Sequence, residues 1–122
     1  EWSGSKRCGC VQIHSSITEI PDGTFMNYKE LNKISFNESL VKIGPSAFRN
    51  CSSLQSINFP STLIEIDSFA FYYCIKLRKV AFNEGIKKIG TQSFEHCPSL
   101  ESITFPSTLL SVGSGHFYVV KI

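Results

Sequence analysis

Apolar residues return along this chain at a fixed interval of 23. Phe25, Phe48, Phe71, Phe94 and Phe117 form one column, and Leu31, Leu54, Leu77 and Leu100 form a second. Ile34, Ile57, Val80 and Ile103 make a third, followed two residues on by Phe36, Phe59, Phe82 and Phe105. Later in each period come Leu40, Leu63, Ile86 and Leu109, then Ile43, Ile66, Ile89 and Val112, and finally Cys51, Cys74 and Cys97. Self-similarity at such a period marks a stacked solenoid, in which each repeat packs only on its neighbours. Counted from Cys8, the units run 8–30, 31–53, 54–76, 77–99 and 100–122, and residues 1–7 precede them as a leader or part of an N-terminal cap. The first unit is degenerate, with Cys8, Val11, Ile13, Ile17, Ile20, Phe25 and Tyr28 in the matching slots.

Within a unit, Ile57 and Phe59 alternate with Ser56 and Asn58, the period-two pattern of a half-buried strand. Pro60 and Pro106 end that strand, and a second extended piece is expected near Leu63 to Ile66. Gly44, Gly90 and Gly113 follow the equivalent pieces and are expected to permit a turn, with Asp67 in that slot in the third unit. Ala47, Phe48 and Cys51 stand at near-helical spacing, which predicts one helical or 3-10 turn over 46–51.

A second period overlies the first. Residues 53–63 (SLQSINFPSTL) recur as 99–109 (SLESITFPSTL), so likeness is greater at 46 than at 23. One column reads Glu19, Lys42, Glu65, Lys88, Ser111, and Ser61 separates Glu38 from Glu84 as Ser56 separates Lys33 from Lys79. On rungs roughly 4.8 Å apart, like charges directly opposite one another destabilise, so alternation has a physical cause. Duplication of a two-repeat unit produces the same pattern, and the two accounts are compatible.

The unit Leu-x-x-Ile-x-Phe-Pro-x-x-Leu-x-x-Ile-x-x-x-Ala-Phe-x-x-Cys, clearest in 31–53 and 54–76, resembles the BspA-type (Treponema pallidum-type) leucine-rich repeat over residues 8–122. The resemblance implies a repeat solenoid, mainly β with short helical or 3-10 turns: a leucine-rich-repeat-like, right-handed curved stack of five 23-residue units. It also implies surface proteins of bacteria and of protists such as trichomonads, with adhesion to host proteins or other cells, and it supplies no catalytic residues. His116 in place of Ala, Val120 in place of Cys and Cys8 in place of Leu depart from the pattern at the ends.

A net charge of +2 with dispersed Lys and Arg gives no footprint for nucleic acid or an anionic membrane. No apolar run is long enough to span a bilayer, so direct membrane insertion of this segment is not expected. The chain begins with Glu and shows no signal-peptide pattern, and it is read as processed or a fragment. Two phenylalanines and about five aliphatic groups per layer can carry the fold without metal or cofactor, each buried ring contributing roughly 1.5–3 kcal/mol.

Candidate chemistry is sparse. Cys51, Cys74 and Cys97 read as inert core thiols. Cys8, Cys10 and His14 suggest a metal clip, but the set lacks a fourth ligand and has no usual zinc spacing. His96 beside Cys97 suggests a nucleophile and base, yet adjacent residues on a short turn point apart. No catalytic, cofactor or metal site is therefore assigned. Asn37-Glu-Ser39 and Asn50-Cys-Ser52 are glycan acceptor sequences in a secreted eukaryotic protein, and are otherwise chance occurrences in Ser- and Asn-rich turns.

The surface offers more. Outward strand positions, among them Lys33, Ser56, Asn58 and Lys79, make a small-residue face that accepts a partner closely or is simply solvated. Phe69 is the one phenylalanine of ten outside the ladder, with Gly23, Ser46, Gln92 and Gly115 as register-mates. Tyr72, Tyr73 and Ile75 lie beside it, either as an exposed hot spot or as a turn that packs its own aromatics. The C-terminal stretch 117–122 is apolar where a cap is expected, which implies further chain or end-to-end self-association. The expected function is protein recognition by a cell-surface or secreted adhesin, the alternative being a cytoplasmic scaffold docked on a larger assembly.

Overall fold

The protein is described by a computed structural model covering residues 2–5 and 9–115. The chain winds as a β-solenoid in which every rung contributes two short parallel strands. The first strand of each rung is β2 (Cys10–Ile13), β4 (Lys33–Ser35), β6 (Ser56–Asn58), β8 (Lys79–Ala81) and β10 (Ser102–Thr104). The second is β3 (Glu19–Ile20), β5 (Lys42–Ile43), β7 (Glu65–Ile66), β9 (Lys88–Ile89) and β11 (Ser111–Val112). The second strands form one continuous five-stranded sheet, whereas the first strands divide into β2–β4 and β6–β8–β10. Residues 2–5, expected as leader or cap, form β1 (Trp2–Ser5), which pairs antiparallel with β2 at the edge of its sheet. The second extended piece, expected near Leu63 to Ile66, thus builds a sheet of its own.

Alternation within the strands fills the interior. Ile34, Ile57 and Val80 point in while their neighbours on both sides are exposed. Two columns of rings run through the stack. Phe25, Phe48, Phe71 and Phe94 lie nearly parallel with centroids 5.1, 5.0 and 5.2 Å apart. Phe36, Phe59, Phe82 and Phe105 follow at 5.8, 5.5 and 5.6 Å. Edge contacts at 6.1, 5.8 and 5.8 Å lock one column to the other within a rung, an arrangement the ring quadrupole favours.

The segment expected as one helical or 3-10 turn forms 3-10-type turn bonds, and no helix occurs among the described residues. Ala47, Arg49 and Cys51 donate their N–H to the carbonyl three residues back, the 3-10-type bond. Ser46, Phe48 and Asn50 instead donate across to Ser68, Ala70 and Tyr72 on the next rung. Alternate amides therefore serve the turn and the stack, which stops a regular helix from propagating. The geometry needs left-handed backbone at two positions per rung: Gly23 and Asn27, Ser46 and Asn50, Phe69 and Tyr73, Gln92 and His96, all with φ between 55° and 66°.

Gly44, Gly90 and Gly113 have a different reason from the one expected. None takes a positive φ. A Cβ at these positions would sit 2.7, 2.5 and 2.4 Å from backbone atoms of the preceding rung. Close approach of neighbouring rungs, and not a turn conformation, requires the missing side chain.

Candidate functional site

Three features of the sequence resolve as structure. Cys51, Cys74 and Cys97 are buried free thiols. Each Sγ–H donates at 3.2 Å to a carbonyl of the preceding rung, those of Phe25, Phe48 and Phe71. Burial pushes Cys51 and Cys97 up to about 12 and raises Cys74 further from reactivity, so none is a ready thiolate. Cys97 faces the core while His96 stacks on Tyr73, so the two do not form a nucleophile–base pair. Cys10 is disulfide-bonded, and Nδ1 of His14 is engaged by Ser16 at 2.9 Å. That leaves the proposed Cys-x-Cys…His clip without its Cys10 thiolate; Cys8 lies outside the described residues, as do His116, Phe117, Val120 and the apolar end 117–122.

The alternating charge column is aligned in register, Glu19 opposite Lys42, Lys42 opposite Glu65 and Glu65 opposite Lys88. Lys42 reaches Glu65 at 4.0 Å and Asp67 at 3.5 Å, and Lys88 reaches Glu65 at 3.8 Å. The carboxylates of Glu65 and then Asp67 hold the Lys42 ammonium above its ordinary pKa. Between the two glutamates of the neighbouring column, the Ser61 hydroxyl donates to Glu38 at 2.7 Å.

The sequons differ. The amide nitrogen of Asn37 donates to the carbonyls of His14 and Ile17, the latter at 2.8 Å, so it is committed to bracing the loop between rungs. The amide of Asn50 donates to the Asn27 side chain at 2.7 Å on the surface.

Phe69, Tyr72, Tyr73 and Ile75 converge on one face of the turn column. Phe69 meets Tyr72 edge-on at 5.3 Å, and Tyr72 meets Tyr73 edge-on at 4.9 Å. Arg49 lies over both rings of the first pair, 5.4 Å from Phe69 and 4.7 Å from Tyr72, within cation–π range. Tyr73 stacks on His96 at 4.6 Å with 20° between the planes. Phe69 and Tyr72 are half-buried under Arg49, while Tyr73 and Ile75 are each 43% exposed. Lys33 on β4, Ser56 and Asn58 on β6 and Lys79 on β8 stand exposed on the first strands, away from this cluster.

Phe69 and Tyr73 hold this arrangement at φ of 60° and 62°. The left-handed region costs an ordinary L-residue roughly 1–2 kcal/mol, and glycine and asparagine least. Register-mates Gly23, Asn27 and Asn50 suit the conformation; bulky aromatics do not. Arg49 and His96 also belong to the cluster, outside the sequence-predicted set. Their signal was available, since they occupy the same columns as Tyr72 and Tyr73, one rung away.

Two depressions flank Tyr73 and Ile75. One, of about 690 Å³, is shared with Asn27, Lys29, Asn50 and Ser52. The other, of about 290 Å³, is shared with His96 and Pro98. Among the described residues no helix is long and apolar enough to cross a membrane.

Residues 5–122 match the family model of the BspA type leucine rich repeat region, in six copies. The leucine-rich repeat protein of T. pallidum superposes with a TM-score of 0.84 at 25% identity, over 94% of this chain and 62% of that one. A leucine-rich cell surface protein of Faecalibacterium prausnitzii gives 0.79 at 27% identity, over 90% of this chain and 33% of its own. The pneumococcal vaccine antigen PcpA gives 0.78 at 25% identity, over 88% and 28%. The chain thus spans less than two thirds of the length of these structures. No curated protein matches it significantly.

Proposed function

The chain belongs to the BspA-type leucine-rich repeat family, and from that premise we propose that it is a non-catalytic protein-recognition module of a cell-surface adhesin, binding host or neighbouring-cell proteins. Leucine-rich repeats are a typical protein-interaction module, and two of the similar structures are described as a cell surface protein and a vaccine antigen. The observation that carries the reading to a site is the aromatic patch. Phe69 and Tyr73 occupy left-handed positions at a cost that the stack does not require, because Gly23, Asn27 and Asn50 serve at equivalent positions of the first two rungs. Strain kept at a surface cluster of this composition is the usual mark of a binding site. The small-residue face of Lys33, Ser56, Asn58 and Lys79 is a second contact area in the same proposal.

A cytoplasmic scaffold is the competing reading, and the disulfide at Cys10 weighs against it, because such bonds persist in oxidising compartments. A photo-crosslinking residue at position 76, on the parent cell, tests the assignment. Crosslinks to an extracellular protein, lost when Tyr72 and Tyr73 are both replaced by Ser while the melting temperature is nearly unchanged, support it. Loss of folding in the double variant, or crosslinks only to cytosolic assemblies, overturns it.

A further inference from the structure

We propose that the larger depression beside Tyr73 is a saccharide site that takes one neutral pyranose ring. The inference shares the aromatic patch with the reading above but does not depend on a protein partner.

The surface changes character between two adjacent rungs. Asn27, Lys29, Asn50 and Ser52 supply polar groups from the first two rungs, and Tyr73 and Ile75 stand in the same columns one rung on. His96 stacks on Tyr73 from the fourth rung, so the opposite ring face turns toward Asn50. An asparagine is shorter than a tyrosine, and the phenol therefore overhangs it as a wall above a polar floor. Within that floor, Asn50 donates to Asn27 at 2.7 Å. The bond fixes both amides and leaves the pair with an acceptor oxygen on Asn50 and an amide donor on Asn27.

This chemistry selects among ligands. The backbone amides of Asn27, Asn50 and Tyr73 already donate across rungs, to Arg49, Tyr72 and Glu95. An extended peptide adding itself as a strand finds no row of open main-chain groups there. Recognition must come from side chains: a flat π face, fixed amides and a serine hydroxyl. A pyranose presents an apolar face of C–H groups to stack on a ring, with hydroxyls around its rim that both donate and accept. Lys29 is the single charged group lining the depression, which favours a neutral sugar over a polyanionic one.

Tyr73→Asn is the decisive variant, because Asn27 and Asn50 already hold the equivalent left-handed positions at φ of 66° and 63°. It removes the wall and keeps the backbone. The intact chain is titrated with methyl β-galactoside, methyl β-glucoside, methyl α-mannoside and N-acetylglucosamine, followed by saturation-transfer NMR. At least one should saturate in the range of about 1–10 mM, an affinity of about 3–4 kcal/mol suited to a single exposed ring. Tyr73→Asn should weaken it roughly tenfold and Asn50→Ala severalfold, with Lys87→Ala, in the exposed segment just before β9, unchanged. Failure of all four sugars to saturate, or indifference to Tyr73→Asn, overturns the proposal. Binding of the chain to an immobilised glycoprotein that is lost on deglycosylation places the sugar on a protein, whereas competition by a soluble polysaccharide places it in a polymer. Crosslinking that depends on Tyr72 and survives deglycosylation, together with no sugar response, leaves the protein reading standing and this one refuted.

Discussion

Phe71 and Phe69 lie two residues apart on one turn. The first ring is fully buried between Phe48 and Phe94, with centroids 5.0 and 5.2 Å away. The second is half-buried beneath Arg49, and its backbone sits at a φ of 60°. Phe71 is repeated in every rung because each layer needs a ring of that size to fill its interior and to stack on the next. Phe69 is not repeated, and its rung accepts a conformation that glycine would take without strain. Periodicity thus reports what the solenoid requires of its core, and departure from periodicity reports what this particular rung adds.

The comparison predicts its own largest effect. Phe71→Ala should destabilise by about 3–5 kcal/mol, since the surrounding rungs cannot collapse into the vacated layer. Denaturant unfolding with an unchanged slope checks it. A cost near 1 kcal/mol would mean that the stack relaxes around the hole and that the ladder is less tightly coupled than its 5.0 Å spacing implies.

Alkaline pH probes the same core through its thiols. Cys51 and Cys97 titrate near 12 in the fold against an ordinary value of 9.0. Below pH 9 both states keep the proton and the contribution is complete. Between the two values the unfolded chain releases protons that the folded chain retains, so stability falls by about 1.4 kcal/mol per pH unit for each thiol. Lys42, raised from 10.5, acts in the same sense at higher pH. Native protein should therefore resist thiol reagents at pH 8 and become labile above pH 9, and Cys51→Ala or Cys97→Ala should flatten that decline. Rapid labelling at pH 8 would show that the rungs open locally.

On the sheet surface, Glu65→Lys places three like charges in succession at Lys42, position 65 and Lys88. The melting temperature should drop by a few degrees at low ionic strength and recover most of the loss in roughly 1 M salt, where the screening length is about 3 Å. A salt-independent loss would assign the effect to packing of the Glu65 stem instead.

Much of this was legible in the sequence, for identifiable reasons. The ladder columns, the strands and the inert thiols follow from side-chain character repeated at 23, and the Glu19–Lys42–Glu65–Lys88 pairing follows from charge at the same interval. Backbone conformation was harder to read. The glycines at 44, 90 and 113 look like turn residues, and only the rung-to-rung approach shows that they make room for a neighbour. Gly23, Asn27 and Asn50 carry the left-handed signal, but Ser46, Phe69, Tyr73, Gln92 and His96 share their columns and mask it. Arg49 and His96 take their place in the cluster only from the aromatic rings one rung away.

The smallest expected effect is the most discriminating. Phe69→Gly removes the ring from beneath Arg49 and from the edge of Tyr72, contacts worth roughly 0.5–1.5 kcal/mol each. It also releases left-handed strain of roughly 1–2 kcal/mol, offset in part by the extra freedom glycine has in the unfolded chain. These terms nearly cancel, so stability should change by no more than about 1 kcal/mol in either direction, while crosslinking to a partner through the patch should fall. Gly23 already occupies this column at a φ of 65°, so the backbone has no reason to rearrange. A loss comparable to that of Phe71→Ala would place Phe69 in the core, and the search for the binding surface would then move to Tyr73, Ile75 and the exposed first-strand sheet.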